Sequence, residues 1–136
     1  MEKVVAASKK KIRLFIKFYP YKYRDFARVS AEAALAASDQ GKFWEMHHLL
    51  LKQSPDLDRD RLVAYAKELG LDVEKFKNAL DSHKNSVIID RDLKLASDLD
   101  LYNTPTFFIN GRKVIGNVPY EYLRKIVQEE LNAVKP

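Results

Sequence analysis

The sequence predicts one α+β domain, mostly helical with few strands, and three observations carry that prediction. Residues 106–115 bear a β-hairpin signature: the aromatic and β-branched run Thr106-Phe107-Phe108-Ile109, then Asn110-Gly111, then Arg112-Lys113-Val114-Ile115. Asn-Gly supplies the two positive φ angles of a type I′ turn, so the second run returns antiparallel to the first. Between residues 25 and 98, apolar residues recur at three- and four-residue steps, interrupted by Gly41, Ser54-Pro55 and Gly70, the pattern of consecutive short helices. Residues 11–18 instead alternate, with Ile12, Leu14, Ile16 and Phe18 on one face and Arg13, Phe15 and Lys17 on the other, the pattern of a half-buried strand.

Taken in order, residues 2–10 have the composition of the last turns of a helix, with Val4, Val5 and Ala7 apolar and Lys9, Lys10 and Lys11 where the C-terminal dipole favours cations. Pro20 ends the alternating segment. The aromatic loop 19–23 is expected to pack its tyrosines against the following helix; lining a groove is the alternative. Residues 25–38 form an alanine-rich helix whose small side chains let neighbours come close. Residues 42–53 form the next, with Phe43, Met46, His47 and Leu50 on one stripe. Asp58 caps a helix carrying Leu62, Ala66 and Leu69, and Asp72 caps one carrying Val73, Phe76 and Leu80. Residues 85–98 are a further helix bringing Ile88, Leu95 and Leu99 towards the hairpin. Pro119 is placed at a first helical position, followed by the stripe Tyr120, Leu123, Val127, Leu131 and Val134.

Composition limits the chemistry. The chain of 136 residues has 46% hydrophobic residues, enough for an ordinary core, and a formal charge of +5 concentrated early in the chain. That charge can steer acidic partners, but the basic residues alternate with apolar ones instead of lining a helix face with stacking aromatics, so no nucleic-acid partner is expected. No stretch approaches a membrane span and no apolar run near residue 1 has the length of a signal-peptide core, so no membrane partner is expected. There is no cysteine, hence no thiolate nucleophile, disulfide or thiolate-ligated zinc. His47 and His48 are adjacent and point about 100° apart on a helix, His83 is remote, and Asp56, Asp58 and Asp60 lack the glycine and closing glutamate of a calcium loop. No metal or cofactor is therefore expected, and Trp44 beside Met46 reads as core.

Three strings in order, Gly41-Lys42-Phe43-Trp44-Glu45-Met46-His47, Leu69-Gly70-Leu71-Asp72-Val73-Glu74-Lys75-Phe76 and Thr104-Pro105-Thr106-Phe107-Phe108-Ile109-Asn110-Gly111-Arg112, resemble the DsbA-like thiol-disulfide oxidoreductases. The resemblance implies a truncated thioredoxin-like fold with an inserted helical domain: residues 1–18 and 103–136 as the thioredoxin-like part, and about 24–100 as the insertion, in a single domain. It also implies a cis Thr104-Pro105 bond in a loop, Asn103, Thr104 and Pro105, that docks extended polypeptide. Asn103 stands where the family often has glycine. Pro105 lacks an N–H, so the backbone groups of this loop are expected to be partly unpaired.

The departure lies at the front. In the family a first strand leads into a helix whose N-terminus carries C-x-x-C; if residues 2–10 are the tail of that helix, strand and cysteines lie upstream of Met1. Loss of a strand between residues 11–18 and 106–109 would leave two pairing edges, so a homodimer or strand-exchanged oligomer is expected. Three functions follow. The first is the C-terminal portion of a DsbA-like oxidoreductase, redox-inactive as given. The second is a redox-dead peptide-binding or chaperone-like module, and the third and weakest is an isomerase or glutathione-transferase relative. Members of the family are exported or cytoplasmic, so the resemblance assigns no compartment.

Overall fold

A computed structural model describes residues 2–8 and 12–133. In chain order the elements are α1 (Glu2–Ala7), α2 (Ala27–Ser38), α3 (Phe43–Gln53), α4 (Arg59–Glu68), α5 (Val73–Asp81), α6 (Ser86–Asp98), β1 (Thr106–Ile109), β2 (Arg112–Ile115) and α7 (Tyr120–Ala133). This is a mostly helical α+β fold. It divides into two compact units, one of residues 17–95 and one of residues 1–16 with 96–136.

The helical unit is built around α2. Ala33, Ala34, Ala36 and Ala37 are buried, and their small side chains let Met46 and Leu50 of α3, Leu62 and Ala66 of α4, and Phe76 and Leu80 of α5 close around them. Local chemistry sets the helix ends as the sequence predicts. The Asp58 carboxylate accepts the Arg61 N–H at 3.0 Å and that of Asp72 accepts the Lys75 N–H at 3.0 Å, so each satisfies a first-turn donor. After α4, Gly70 takes φ +70° and the Leu71 N–H returns to the Ala66 carbonyl at 2.9 Å, a closure that only a residue tolerant of the left-handed region makes cheaply.

In the other unit, Val4 of α1, Val114 of β2 and Leu123, Ile126 and Val127 of α7 form the core, with Ile12, Phe107, Ile109, Val118 and Leu131 packed against it. Pro119 lies just before α7 instead of inside it, its carbonyl accepting from Tyr122 and Leu123. Tyr120 is exposed, and Ile126 takes the place in the buried stripe that its periodicity allows. The expected roles of Lys9, Lys10, Lys11 and Val134 fall outside the described residues.

Two further expectations are corrected. Residues 12–18 are not a strand. Their side chains alternate half-buried and exposed without a break, as the sequence requires, but no strand pairs with them among the described residues, and a strand is defined by its ladder. In α6 the buried stripe is Ile89, Asp92 and Ala96, rotated from the expected Ile88, Leu95 and Leu99; Ile88 is half-buried and the two leucines are exposed. A carboxylate can hold a core position here because its oxygens are satisfied: Asp92 accepts the Phe18 N–H at 3.1 Å and the Lys17 ammonium at 3.0 Å.

Candidate functional site

Asn103, Thr104 and Pro105 lie together in an exposed loop between α6 and β1, and the Thr104–Pro105 bond is cis. The loop is tied at both ends. Thr106 Oγ1 donates to the Asn103 carbonyl at 2.7 Å, and the Gly116 N–H donates to the Pro105 carbonyl at 2.8 Å. The carbonyls of Asn103 and Pro105 are therefore engaged. Outward-facing main-chain groups begin one residue later.

Their position follows from the turn. Asn110 and Gly111 have φ +48° and +89°, as a type I′ hairpin demands, and Ile109 pairs with Arg112, Phe107 with Val114 and Thr106 with Ile115. Hydrogen-bonded and non-bonded pairs alternate along an antiparallel ladder, so Phe107 and Ile109 direct their N–H and C=O groups at β2. Thr106 and Phe108 direct theirs to the opposite edge. The sheet has only two strands among the described residues, so that edge of β1 is unpaired, and it continues directly from the Pro105 loop. Phe108 is 48% exposed beside it. Chemically this arrangement offers main-chain donors and acceptors for an extended chain to pair with. Sequence reasoning named the loop and missed Thr106 and Phe108, although the Asn-Gly turn already dictates which residues of β1 face outward.

The other singled-out residues are dispersed. Trp44 is 41% exposed, not core, because the stripe of α3 that faces α2 is Met46 and Leu50. Trp44 packs edge-on to Phe43, and His47 stacks on Phe43 with ring centres 5.6 Å apart. His83 reaches the buried Glu32 carboxylate at 3.0 Å. Among the described residues no group of three or more histidines and carboxylates is placed to hold a metal ion. In the aromatic loop Tyr19 packs on Tyr21 and Tyr21 on Tyr23; Tyr19 and Tyr21 are half-buried, Tyr21 lines a cleft, and Tyr23 is 74% exposed.

In chain order, a helical unit between an N-terminal helix and a C-terminal hairpin and helix, with a proline opening the hairpin, is the arrangement of a thioredoxin-like protein with a helical insertion. The family model described as DSBA-like thioredoxin domain matches residues 1–128, and the chain belongs to that family. A crystal structure of a thioredoxin-like oxidoreductase from Silicibacter pomeroyi superposes with a TM-score of 0.84 at 27% identity, over 98% of this chain and 76% of that one. The thiol-disulfide exchange protein alpha-DsbA2 from Wolbachia pipientis shares the fold, with a TM-score of 0.82 at 22% identity, over 95% of this chain and 72% of that one. Among curated proteins, Na(+)/H(+) antiporter NhaA 1 of Salinispora arenicola is 43% identical over 102 residues, 75% of this chain and 16% of the antiporter. The NhaA antiporter of Herminiimonas arsenicoxydans is 40% identical over 89 residues, 65% of this chain and 14% of the antiporter. The chain thus spans only about one sixth of the length of these curated relatives. Among the described residues no helix is long and apolar enough to cross a membrane.

Proposed function

We propose that this chain is the C-terminal portion of a DsbA-like thiol-disulfide oxidoreductase, and that it supplies the polypeptide-docking surface and not the redox chemistry. The observation that carries the reading is the exposed Asn103-Thr104-Pro105 loop that opens β1. An extended substrate laid against that loop gains main-chain contacts without regard to its sequence, which suits an enzyme acting on unfolded chains. Disulfide exchange needs a thiolate, and the 136 residues contain no cysteine, so by this reading the exchanging thiols come from outside them and the chain alone is redox-inactive. Ion transport is not carried over from the antiporters, since the match covers 16% of their length.

The unpaired edge of β1 at Thr106 and Phe108, which the upstream strand of the first reading would cover, favours a second reading, a redox-dead module that binds peptide or pairs with a second copy. Residues 12–16 alternate half-buried and exposed without a ladder, and Ile12 packs on the core that Phe107 and Ile109 also cover, so an added strand would extend the β1 edge over that core.

One set of measurements separates the readings. The amide spectrum of the chain, titrated with a cysteine-free unfolded polypeptide, is expected to shift at residues 103–108; shifts confined elsewhere would reject the docking surface. Light scattering through the same titration reports self-pairing, and a strictly monomeric particle in the absence of peptide would eliminate the second copy. The intact mass of the protein isolated from its source, alkylated after reduction, decides the chemistry. A larger species labelled on two thiols supports the oxidoreductase, and an unlabelled species of 15.8 kDa supports the module.

A further inference from the structure

A cleft of about 420 Å³ lies wholly within the helical unit, between the 20–29 segment and Leu93 of α6. Its lining joins apolar Pro20, Val29, Leu93 and Phe26, with Tyr21 beside them, to the cations Lys22, Arg24 and Arg28. No carboxylate lines it.

The three cations are not equivalent. Arg28 is held in place by Asp90 at 2.8 Å and by the buried Glu32 at 3.5 Å. Lys22 and Arg24 have no carboxylate partner among the described residues, and the Arg24 guanidinium rests 5.8 Å from the centre of the Tyr23 ring. Two positive charges without a carboxylate partner therefore share the cleft with an apolar lining. The first turn of α2, which begins at this cleft, contains no acidic residue to compete for them.

Phe26 gives the cleft its shape at a conformational cost. It sits at φ +61°, ψ −4°, a region that bulky L-residues avoid, and it makes no side-chain capping bond that would justify its place before α2. The turn instead leaves the ring 43% exposed at the cleft. Strain of this kind persists where the surroundings or a function require it.

We propose that this cleft docks an acidic, extended polypeptide segment, with an aliphatic or aromatic side chain seated on Phe26, Val29 and Leu93 and neighbouring carboxylates meeting Lys22 and Arg24. Charge complementarity names the partner's sign, and the apolar lining names its apolar side chain. The openness of the site names a polypeptide over a small molecule. Lys22, Arg24, Phe26 and Arg28 are all exposed, so the cleft cannot enclose a ligand as small-molecule sites do, whereas a chain that continues past it gains contacts along its length. The proposal is independent of thiol chemistry and of the β1 edge.

The test uses the full chain and a fluorescein-labelled hexapeptide alternating glutamate with leucine, followed by fluorescence anisotropy at low ionic strength. Saturable binding is expected, with amide shifts at residues 20–29 and near Leu93. The double charge reversal Lys22→Glu with Arg24→Glu, at exposed positions whose folding is checked by circular dichroism, should weaken binding about 10-fold or more. Raising the salt to about 0.5 M should weaken it in the wild type, as screening requires. Phe26→Gly should weaken binding while raising the thermal midpoint, because glycine relieves the backbone and removes the ring. Unchanged affinity in the double variant, or equal binding of the peptide with glutamine for glutamate, would overturn the proposal. So would complete displacement by millimolar inorganic phosphate or by an oligonucleotide, which would identify a general anion site instead.

Discussion

Asp92 offers the sharpest test of how the chain leaving the alternating segment is held to the helices. Its side chain is 2% exposed, with one oxygen accepting the Phe18 N–H at 3.1 Å and the other 3.0 Å from the Lys17 ammonium. Asp92→Ala removes both. An orphaned N–H in a part-buried place costs about 1–3 kcal/mol. The ion pair adds only about 0–1 kcal/mol, because Lys17 is half exposed and the interaction is screened by water. Relief from burying a carboxylate offsets part of the sum, leaving a net loss of about 2 kcal/mol. Asp92→Asn keeps a carbonyl of the same shape for the Phe18 N–H and loses only the charge, so it should cost about half as much. Lys17→Met, which leaves the backbone bond intact, should cost least. Equilibrium urea unfolding reads these differences; with a slope of about 2 kcal/mol per molar, Asp92→Ala should lower the midpoint by roughly 1 M. Hydrogen exchange at the Phe18 amide should quicken in Asp92→Ala and stay slow in Lys17→Met. If Asn destabilised as much as Ala, or if Lys17→Met were the worst of the three, the backbone bond would not be the term that matters.

Two further outcomes follow from local geometry. Gly111→Ala places a Cβ in open space at φ +89°, so its cost is conformational alone, about 1 kcal/mol, and thermal unfolding should register it as a lower midpoint; no change would mean that the turn tolerates the substitution by leaving type I′ geometry. Acid should also destabilise the fold. The N–H of Lys75 holds the Asp72 carboxyl below its ordinary 3.8, and the Arg112 guanidinium holds that of Glu129 below its ordinary 4.5. A lowered folded-state value contributes stability that is fully present above the ordinary value and is lost as pH falls through the folded one. Urea midpoints should therefore hold level from pH 7 to about 5 and decline below about 4.5, with the decline shallower in Asp72→Asn; a midpoint that rises on acidification would refute the assignment.

The sequence by itself determined what depends on neighbours along the chain. Asn110-Gly111 dictated the hairpin and its register, because positive φ at two successive positions permits one kind of return. Asp58 and Asp72 dictated where α4 and α5 start, because a carboxylate reaches only the N–H groups of the next turn. The family was also legible, since residues 104–112 join proline, hairpin and turn in one string. Tertiary structure decided everything that needed a partner from far along the chain. Residues 12–18 have the side-chain pattern of a strand and expose it faithfully, yet a ladder requires a second backbone, and that is not encoded in their own alternation. Periodicity offered several stripes on α6, and the choice of Ile89, Asp92 and Ala96 rested on Asp92 meeting the Phe18 N–H and the Lys17 ammonium some 74 and 75 residues away. Trp44 was placed in the interior by its type, and packing left it at the surface because the alanines of α2 had already been covered by Met46, Leu50, Leu62 and Phe76. Burial is a competition among all side chains for one core, and composition names the competitors without naming the winners.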